Sequence, residues 1–354
     1  MRDLRKVNLK GKRVLVRVDF NVFPLASSEP RIIKTIPTIK YLQSQGAKVI
    51  LMTHLEANDG RIFSARNLAK YLCRYFPHLA FSSKIYGESV KKDIDKLKNG
   101  DVLLLENLRK DPREKSSSGR LQLAFAKKLA ELGDIYVNEA FSASHRSHAS
   151  IVVLPKLMPS YCGFLCRAEV DRLSEVFRPL HPFTLIVGGG KAELKIPILK
   201  SLVPKADTAL LGGVLANVFF RKPLIHSKKI ILPRDVLVYA NGRSKFVDSN
   251  TLKGGEHIYD IGPKSLDEWA RVIRRSRLAV WNGPLGFLEK GFEAGTKKLV
   301  SILMQAKTEV IIGGGDTLDF MPKRPPRHVF VSTGGGAMLE YLAKGTLPGL
   351  EALK

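Results

Sequence analysis

Along the first half of this chain, apolar runs end in polar residues that could reach a shared ligand. Asp19 and Asn21 follow the run 13–18, His54 follows 48–52, and Arg109 follows 101–105. His145, Arg146 and His148 come after 135–137, and Arg31 opens the helical stretch between the first two runs. If the runs are strands of an open parallel sheet, their C-terminal ends face one crevice. Three guanidiniums and several imidazoles gathered there suit a small anion carrying both phosphate and carboxylate, because a planar guanidinium grips either group with two hydrogen bonds. His145 and His148 are spaced like a metal pair, but an arginine lies between them and no third ligand is evident.

The second half carries a different chemistry. Val310-Ile311-Ile312-Gly313-Gly314-Gly315-Asp316-Thr317 reads as a buried strand ending in glycines and an acid, and Gly188-Gly189-Gly190-Lys191, Leu211-Gly212-Gly213 and Thr333-Gly334-Gly335-Gly336 repeat that punctuation. Glycines let a ligand approach bare backbone amides, and Asp316 supplies an oxygen for a cation escorting phosphates. Gly190-Lys191 is not a Walker loop: Ala192 stands where a hydroxyl should hold magnesium, and the glycine spacing is wrong.

Positioning these residues requires an alternation of strand and helix. Strands are predicted over 13–18, 48–52, 101–105 and 135–137, with helices over 32–45, from a Ser64 cap to about 76, and over 121–132. Residues 163–177 read as a helix joining two halves, ended by Pro179 and Pro182. Strands at 183–187, 208–211, 235–239, 278–281, 309–312 and 329–332 then form a second sheet. The fold class is α/β, with two doubly wound parallel-sheet domains.

The 354 residues and 44% hydrophobic content suit two globular domains. The charged start leads into no long apolar segment, so neither a membrane span nor a signal peptide is expected, and a cytoplasmic location is. Three cysteines do not form a disulfide framework or a zinc site. The net charge of +25, from 58 basic and 33 acidic residues, would attract nucleic acid or another polyanion, although the basic residues are scattered.

Arg17-Val18-Asp19-Phe20-Asn21, Pro30-Arg31-Ile32, Leu105-Glu106-Asn107-Leu108-Arg109, His145-Arg146-Ser147-His148-Ala149-Ser150, Trp281-Asn282-Gly283-Pro284, Gly313-Gly314-Gly315-Asp316-Thr317 and Ser332-Thr333-Gly334-Gly335-Gly336-Ala337 together resemble phosphoglycerate kinase over nearly the whole chain. The resemblance implies two Rossmann-like domains across a hinged cleft: 1–162 for 3-phosphoglycerate, a linking helix at 163–180, 181–338 for Mg-ATP, and 339–354 returning to the first domain. It implies a monomer exchanging phosphate between 1,3-bisphosphoglycerate and ADP in glycolysis, with Mg²⁺.

Substrate contacts then fall to Asp19, Asn21, Arg31, His54, Arg109 and Arg146. Nucleotide contacts fall to Gly189, Lys191, Lys195, Gly213, Asn282, Gly286, Glu289, Gly313, Gly314, Gly315, Asp316 and Thr317, and the metal to Asp316. Arg31, Lys191, Lys195, Gly314 and Gly335, with the amides of Gly315 and Gly336, would neutralise the transferring group.

The chain departs from the family pattern in several places. His54-Leu55-Glu56-Ala57 replaces His-Leu-Gly-Arg, leaving Arg61 as the substitute cation, and Glu139 and Ser142 replace an aspartate and a glycine. Leu194 and Val214 replace an aspartate and a glycine near the nucleotide, and a helix with its preceding loop is missing between Phe220 and Ile230. Pro322, Pro325 and Pro326 cut short the helix after Asp316. These changes leave an alternative: a weak or inactive kinase fold serving as a basic module for nucleic acid or another polyanion. A third reading is a kinase with altered nucleotide preference.

Overall fold

The first predicted strand, Arg13–Val18 (β1), buries Val14, Leu15, Val16 and Val18 completely, as a parallel strand covered on both faces must. A computed structural model describes residues 2–22, 30–57, 59–190, 192–240, 243–252 and 256–354; Lys191 lies outside these, as do the side chains of Leu194, Val214 and Ala240. The chain folds as two units, Met1–Val170 with Thr346–Lys354, and Asp171–Gly345.

In the first unit, β1 is joined by Lys48–Met52 (β2), Ala80–Phe81 (β3), Val102–Leu104 (β4), Ile135–Glu139 (β5) and Ser160–Cys162 (β6) in the order β3-β4-β2-β1-β5-β6. Every pairing is parallel. The register sets Arg17 opposite both Met52 and Asn138, so the residues following β1, β2 and β5 leave the sheet at one edge. Helices Pro30–Ser44 (α1), Arg66–Leu72 (α2), Glu88–Asp95 (α3) and Gly119–Ala130 (α4) cover the sheet. Helix α2 starts later than the Ser64 cap predicted, because Glu106 takes both the Ser64 hydroxyl at 2.8 Å and the Ala65 amide at 2.7 Å. Helix α5, Phe164–Ser174, carries the chain from the first unit into the second and ends in a 3₁₀ turn, Glu175–Phe177.

The strands of the second unit are Phe183–Val187 (β7), Thr208–Leu211 (β8), Ile230–Ile231 (β9), Asp235–Ala240 (β10), Arg243–Asp248 (β11), Ile258–Ile261 (β12), Leu278–Asn282 (β13), Glu309–Gly313 (β14) and Val329–Val331 (β15). Six of them form a wholly parallel sheet in the order β15-β14-β13-β7-β8-β9. Its helices are Ala192–Leu202 (α6), Gly213–Arg221 (α7), Pro263–Arg275 (α8), Ala294–Gln305 (α9), Gly315–Leu318 (α10) and Gly336–Lys344 (α11); Pro348–Glu351 (α12) belongs to the first unit, where the Gly349 amide donates to Ser144 O at 2.8 Å. Trp269 and Trp281, both buried, anchor the core under this sheet.

The stretch expected to add a strand at 235–239 does not join that sheet. It forms an antiparallel sheet with its neighbours, in the order β11-β10-β12. Val236 and Val238 are buried with Ile258 and Ala216, while Tyr239 on the other face is 48% exposed. One solvated face is the mark of an antiparallel sheet, but every residue from Val236 to Tyr239 is apolar or aromatic, which hides the alternation. Among the described residues, no helix is long and apolar enough to cross a membrane.

Candidate active site

The edge of the first sheet holds a cluster of cations around very few anions. Arg17, fully buried, donates from Nε to Ser150 Oγ at 2.9 Å and from one terminal nitrogen to Val18 O at 2.5 Å. Its other terminal nitrogen lies 3.1 Å from His54 Nδ1. A guanidinium cannot accept a hydrogen bond, so His54 is neutral with its proton on Nε2, pointing away from Arg17. Burial, together with Arg17, Arg109 and Arg146, lowers His54 to about 3 although Asp19 pulls the other way. His148 is held at about 2 by burial and by Arg109, Arg17, Arg146 and His54.

Asp19 is the main acceptor in this cluster. Burial alone would raise its carboxyl, but His54, Arg31, the Ser142 hydroxyl and Arg17 outweigh burial and hold it at about 2. Arg31 Nη1 is 3.6 Å from Asp19 Oδ2 and donates to the Asn21 carbonyl at 3.3 Å. The Asn21 side-chain oxygen accepts the Glu56 amide at 2.9 Å, fixing the loop after β2 against the loop after β1. Arg109, buried at 5% exposure, faces Glu56 across 3.4 Å, and Lys115 takes the other Glu56 oxygen at 2.7 Å. The acid that entered beside the anion site is thus neutralised twice. Arg61 does not take the place of the missing arginine: it is 73% exposed and paired with Asp59 at 2.7 Å. Arg109 Nε and His148 Nδ1 are buried without a hydrogen-bond partner among the described residues. The structure therefore brings Asp19, Asn21, Arg31, His54, Arg109 and Arg146 together with His148 in a cluster rich in cationic donors, in which Arg109 Nε has no partner among the described residues.

Sequence reasoning missed the support beneath this cluster. Glu114, fully buried, accepts the Ser150 hydroxyl at 2.5 Å and the Ser150 amide at 2.9 Å, and so orients the oxygen that receives Arg17. The available signal was Arg17 itself, a charge inside the otherwise apolar run of β1.

In the second unit the glycines divide into two kinds. A Cβ on Gly188 would lie 2.2 Å from Pro284 O, one on Gly213 2.7 Å from Gly189 N, and one on Gly283 2.4 Å from Gly188 O. The turns after β7, β8 and β13 thus pack backbone on backbone. Gly189 and Gly213 donate their amides to Pro284 O at 2.6 Å and Leu285 O at 3.0 Å, so they build the floor of a ligand site and present no donors to it. Gly286 and Gly313 are likewise packing positions, against Phe292 O and the Met338 sulfur. A Cβ on Gly315, Gly335 or Gly336 would meet nothing within 4 Å, so that backbone is open to a ligand.

Polar atoms converge on the same opening. Lys195, 7% exposed, hydrogen-bonds Asn282 Oδ1, and burial lowers its ammonium to about 8 despite the nearby Asp316. Asn282 Nδ2 and Thr317 Oγ1 are buried with no partner among the described residues. Both lie near Gly314, at 3.6 and 3.1 Å from where its Cβ would be. Asp316 is exposed at the start of α10, a helix of four residues, as the prolines beyond it required. Orphaned donors, a buried ammonium and one exposed carboxylate fit a magnesium-bound polyphosphate. Glu289 is exposed in the 3₁₀ turn Leu288–Lys290, after Phe287, which with Tyr259, Val218 and Asn217 lines a cavity of about 460 Å³. Lys191 lies outside the described residues.

A sequence model described as "Phosphoglycerate kinase" matches residues 4–227 and 221–345. The chain belongs to the phosphoglycerate kinase family. It is 36% identical over 393 residues to the phosphoglycerate kinase of Coprothermobacter proteolyticus, covering 100% of this chain and 98% of that protein. With that of Orientia tsutsugamushi it shares 37% over 398 residues, covering 100% and 97%. The fold matches the crystal structure of phosphoglycerate kinase from Pyrococcus horikoshii with a TM-score of 0.86 at 27% identity, covering 100% of this chain and 98% of that one. For the structure from Coxiella burnetii the TM-score is 0.80 at 29% identity, covering 99% and 98%. Both alignments to the curated sequences are longer than the 354 residues of this chain, so its relatives carry segments it lacks. The two family matches meet at 221–227, inside the stretch where a helix and loop are missing. Membership makes the chain a kinase, a phosphotransferase of glycolysis.

Proposed function

We propose that the protein moves a phosphoryl group reversibly between 1,3-bisphosphoglycerate and ADP, giving 3-phosphoglycerate and ATP, with Mg²⁺ and as a cytoplasmic monomer. The observation that carries this reading is the cluster in the first unit, where Arg31, Arg109 and Arg146 gather around two neutral imidazoles and the buried donor Arg109 Nε has no partner among the described residues. Its donors exceed its acceptors, as a site for an anion with phosphate and carboxylate ends requires. Asp19, ionised and hydrogen-bonded to Ser142, would accept a substrate hydroxyl.

In the reverse direction the nucleophile is a carboxylate, which needs no general base; positioning and charge neutralisation do the work. Arg31 would orient the carboxylate and meet the charge of the transferring group. Lys195 and the amides of Gly314, Gly315, Gly335 and Gly336 would take up the charge on the nucleotide side, with Asn282 and Thr317 donating to phosphate oxygens. Asp316 would hold the Mg²⁺ ion, which neutralises polyphosphate charge; a single carboxylate suits an ion that draws its remaining ligands from phosphate and water. We assign the hinge to residues 163–180 and the domain limits to 1–162, 181–338 and 339–354.

Binding is the test that separates this reading from a silent scaffold. Calorimetry should detect 3-phosphoglycerate binding that Arg109→Met abolishes while Mg-ATP binding persists. A folded protein that ignores 3-phosphoglycerate would remove the assignment.

A further inference from the structure

Five cations, Arg234, Arg271, Arg274, Arg275 and Lys298, line two depressions on the second unit, of about 520 and 610 Å³, and Arg271 borders both. Each depression contains one carboxylate, Asp267 or Glu268. Arg271, Arg274 and Arg275 stand at i, i+3 and i+4 on α8, where like charges repel. None of the five is ion-paired among the described residues, and Arg271 Nε reaches the Asp267 carbonyl at 3.4 Å instead of its carboxylate. Five cations against two carboxylates in a concave surface suit an external anion.

The position of the row separates it from the candidate active site. Pro182, Thr184, Thr208 and Ser276, which line the larger depression, stand before or within the first two residues of β7, β8 and β13. The glycine turns leave the last residues of those same parallel strands, at the opposite edge of the sheet. An anion held here would leave that site open.

The lining also narrows the partner. Two adjoining depressions bridged by Arg271 fit an extended polyanion better than a compact one. Among the described residues no aromatic side chain lines either, so an unpaired base would find no stacking platform beyond the guanidiniums themselves, and none of the large exposed apolar side chains lies in this surface to enter a lipid layer. What remains is contact with regularly spaced phosphates. We propose that the α8 bank binds the phosphate backbone of double-stranded nucleic acid without reading its sequence.

The test uses a labelled 20-base-pair DNA duplex and fluorescence anisotropy at stepped salt, on the full chain and two triple variants. In Arg271→Gln/Arg274→Gln/Arg275→Gln, affinity at low salt should fall at least tenfold, and the slope of log affinity against log salt should become shallower by about 2 to 3. Lys92→Gln/Lys96→Gln/Lys127→Gln removes the same charge from exposed positions of the first unit and should change binding less than threefold. Equal losses in both triples would overturn the proposal in favour of diffuse charge. So would tighter binding of a single strand of equal length, or capture by vesicles with 30% anionic lipid when the duplex is not bound. Thermal unfolding checks that both triples fold, and their kinase turnover should match the parent, so the outcome is independent of the catalytic assignment.

Discussion

Arg31, to which the proposed chemistry gives the transferring group, has a side chain 32% exposed in the cation cluster, where Arg17 and Arg109 are buried. Arg31→Ala should reduce phosphoryl transfer about a hundred- to a thousandfold, the usual effect of removing one preorganised donor, and leave Mg-nucleotide affinity within about twofold. Steady-state turnover paired with nucleotide titration checks this. Lys195 gives a pH dependence. Burial lowers its ammonium to about 8, so the free protein loses that charge as pH rises through 8. The apparent KM for nucleotide should therefore climb between pH 7.5 and 9, and Lys195→Met should abolish the climb. At this scale the sequence was informative wherever a polar residue closed an apolar run. It was silent on the pairing of Ser150 with Glu114, which are 36 residues apart and meet only through the fold, and it was misleading for Arg61, whose carboxylate partner lies two residues away.

Among the elements, the turns after β7, β8 and β13 depend on each other through backbone contact. Gly283→Ala combines a φ of +89° with a Cβ 2.4 Å from Gly188 O, so it strains its own turn and displaces the neighbouring one. Its cost should be at least about 1–3 kcal/mol, visible as a lower melting temperature of the second unit together with weaker nucleotide binding. An equivalent change at Gly190, where a Cβ meets nothing within 4 Å, should be tolerated. The doubly buried strands β1, β2, β7 and β8 were legible to the residue, since predominantly apolar runs bounded by turns leave little freedom. Strands β3, β6 and β9 went unpredicted because two or three residues are too few to show a period. Strand β10 was misplaced for the opposite reason, an apolar run whose burial alternates, and its partners β11 and β12 went unpredicted.

For the whole molecule, stability should follow two carboxyls with opposite shifts. Asp19 is held at about 2, so its contribution is present above its unfolded value near 4 and lost as pH falls from about 4 to 2. Glu139 is pushed up to about 7 by burial, against hydrogen bonds from Thr38, Leu165 and Cys166 that favour its charge. Its contribution is fully present below about 4.5 and lost as pH rises to 7. Melting temperatures from pH 4.5 to 7.5 should decline less in Glu139→Gln than in the parent, and parallel curves would contradict the assignment. The charge of +25 was plain from composition, but composition could not say that five of its cations share one bank. The most direct test of the catalytic reading is a coupled assay for ATP formation from 1,3-bisphosphoglycerate and ADP, run beside Asp316→Ala. Turnover that needs Mg²⁺ and falls at least a hundredfold in the variant is expected; no turnover above the variant, from folded protein, would contradict it.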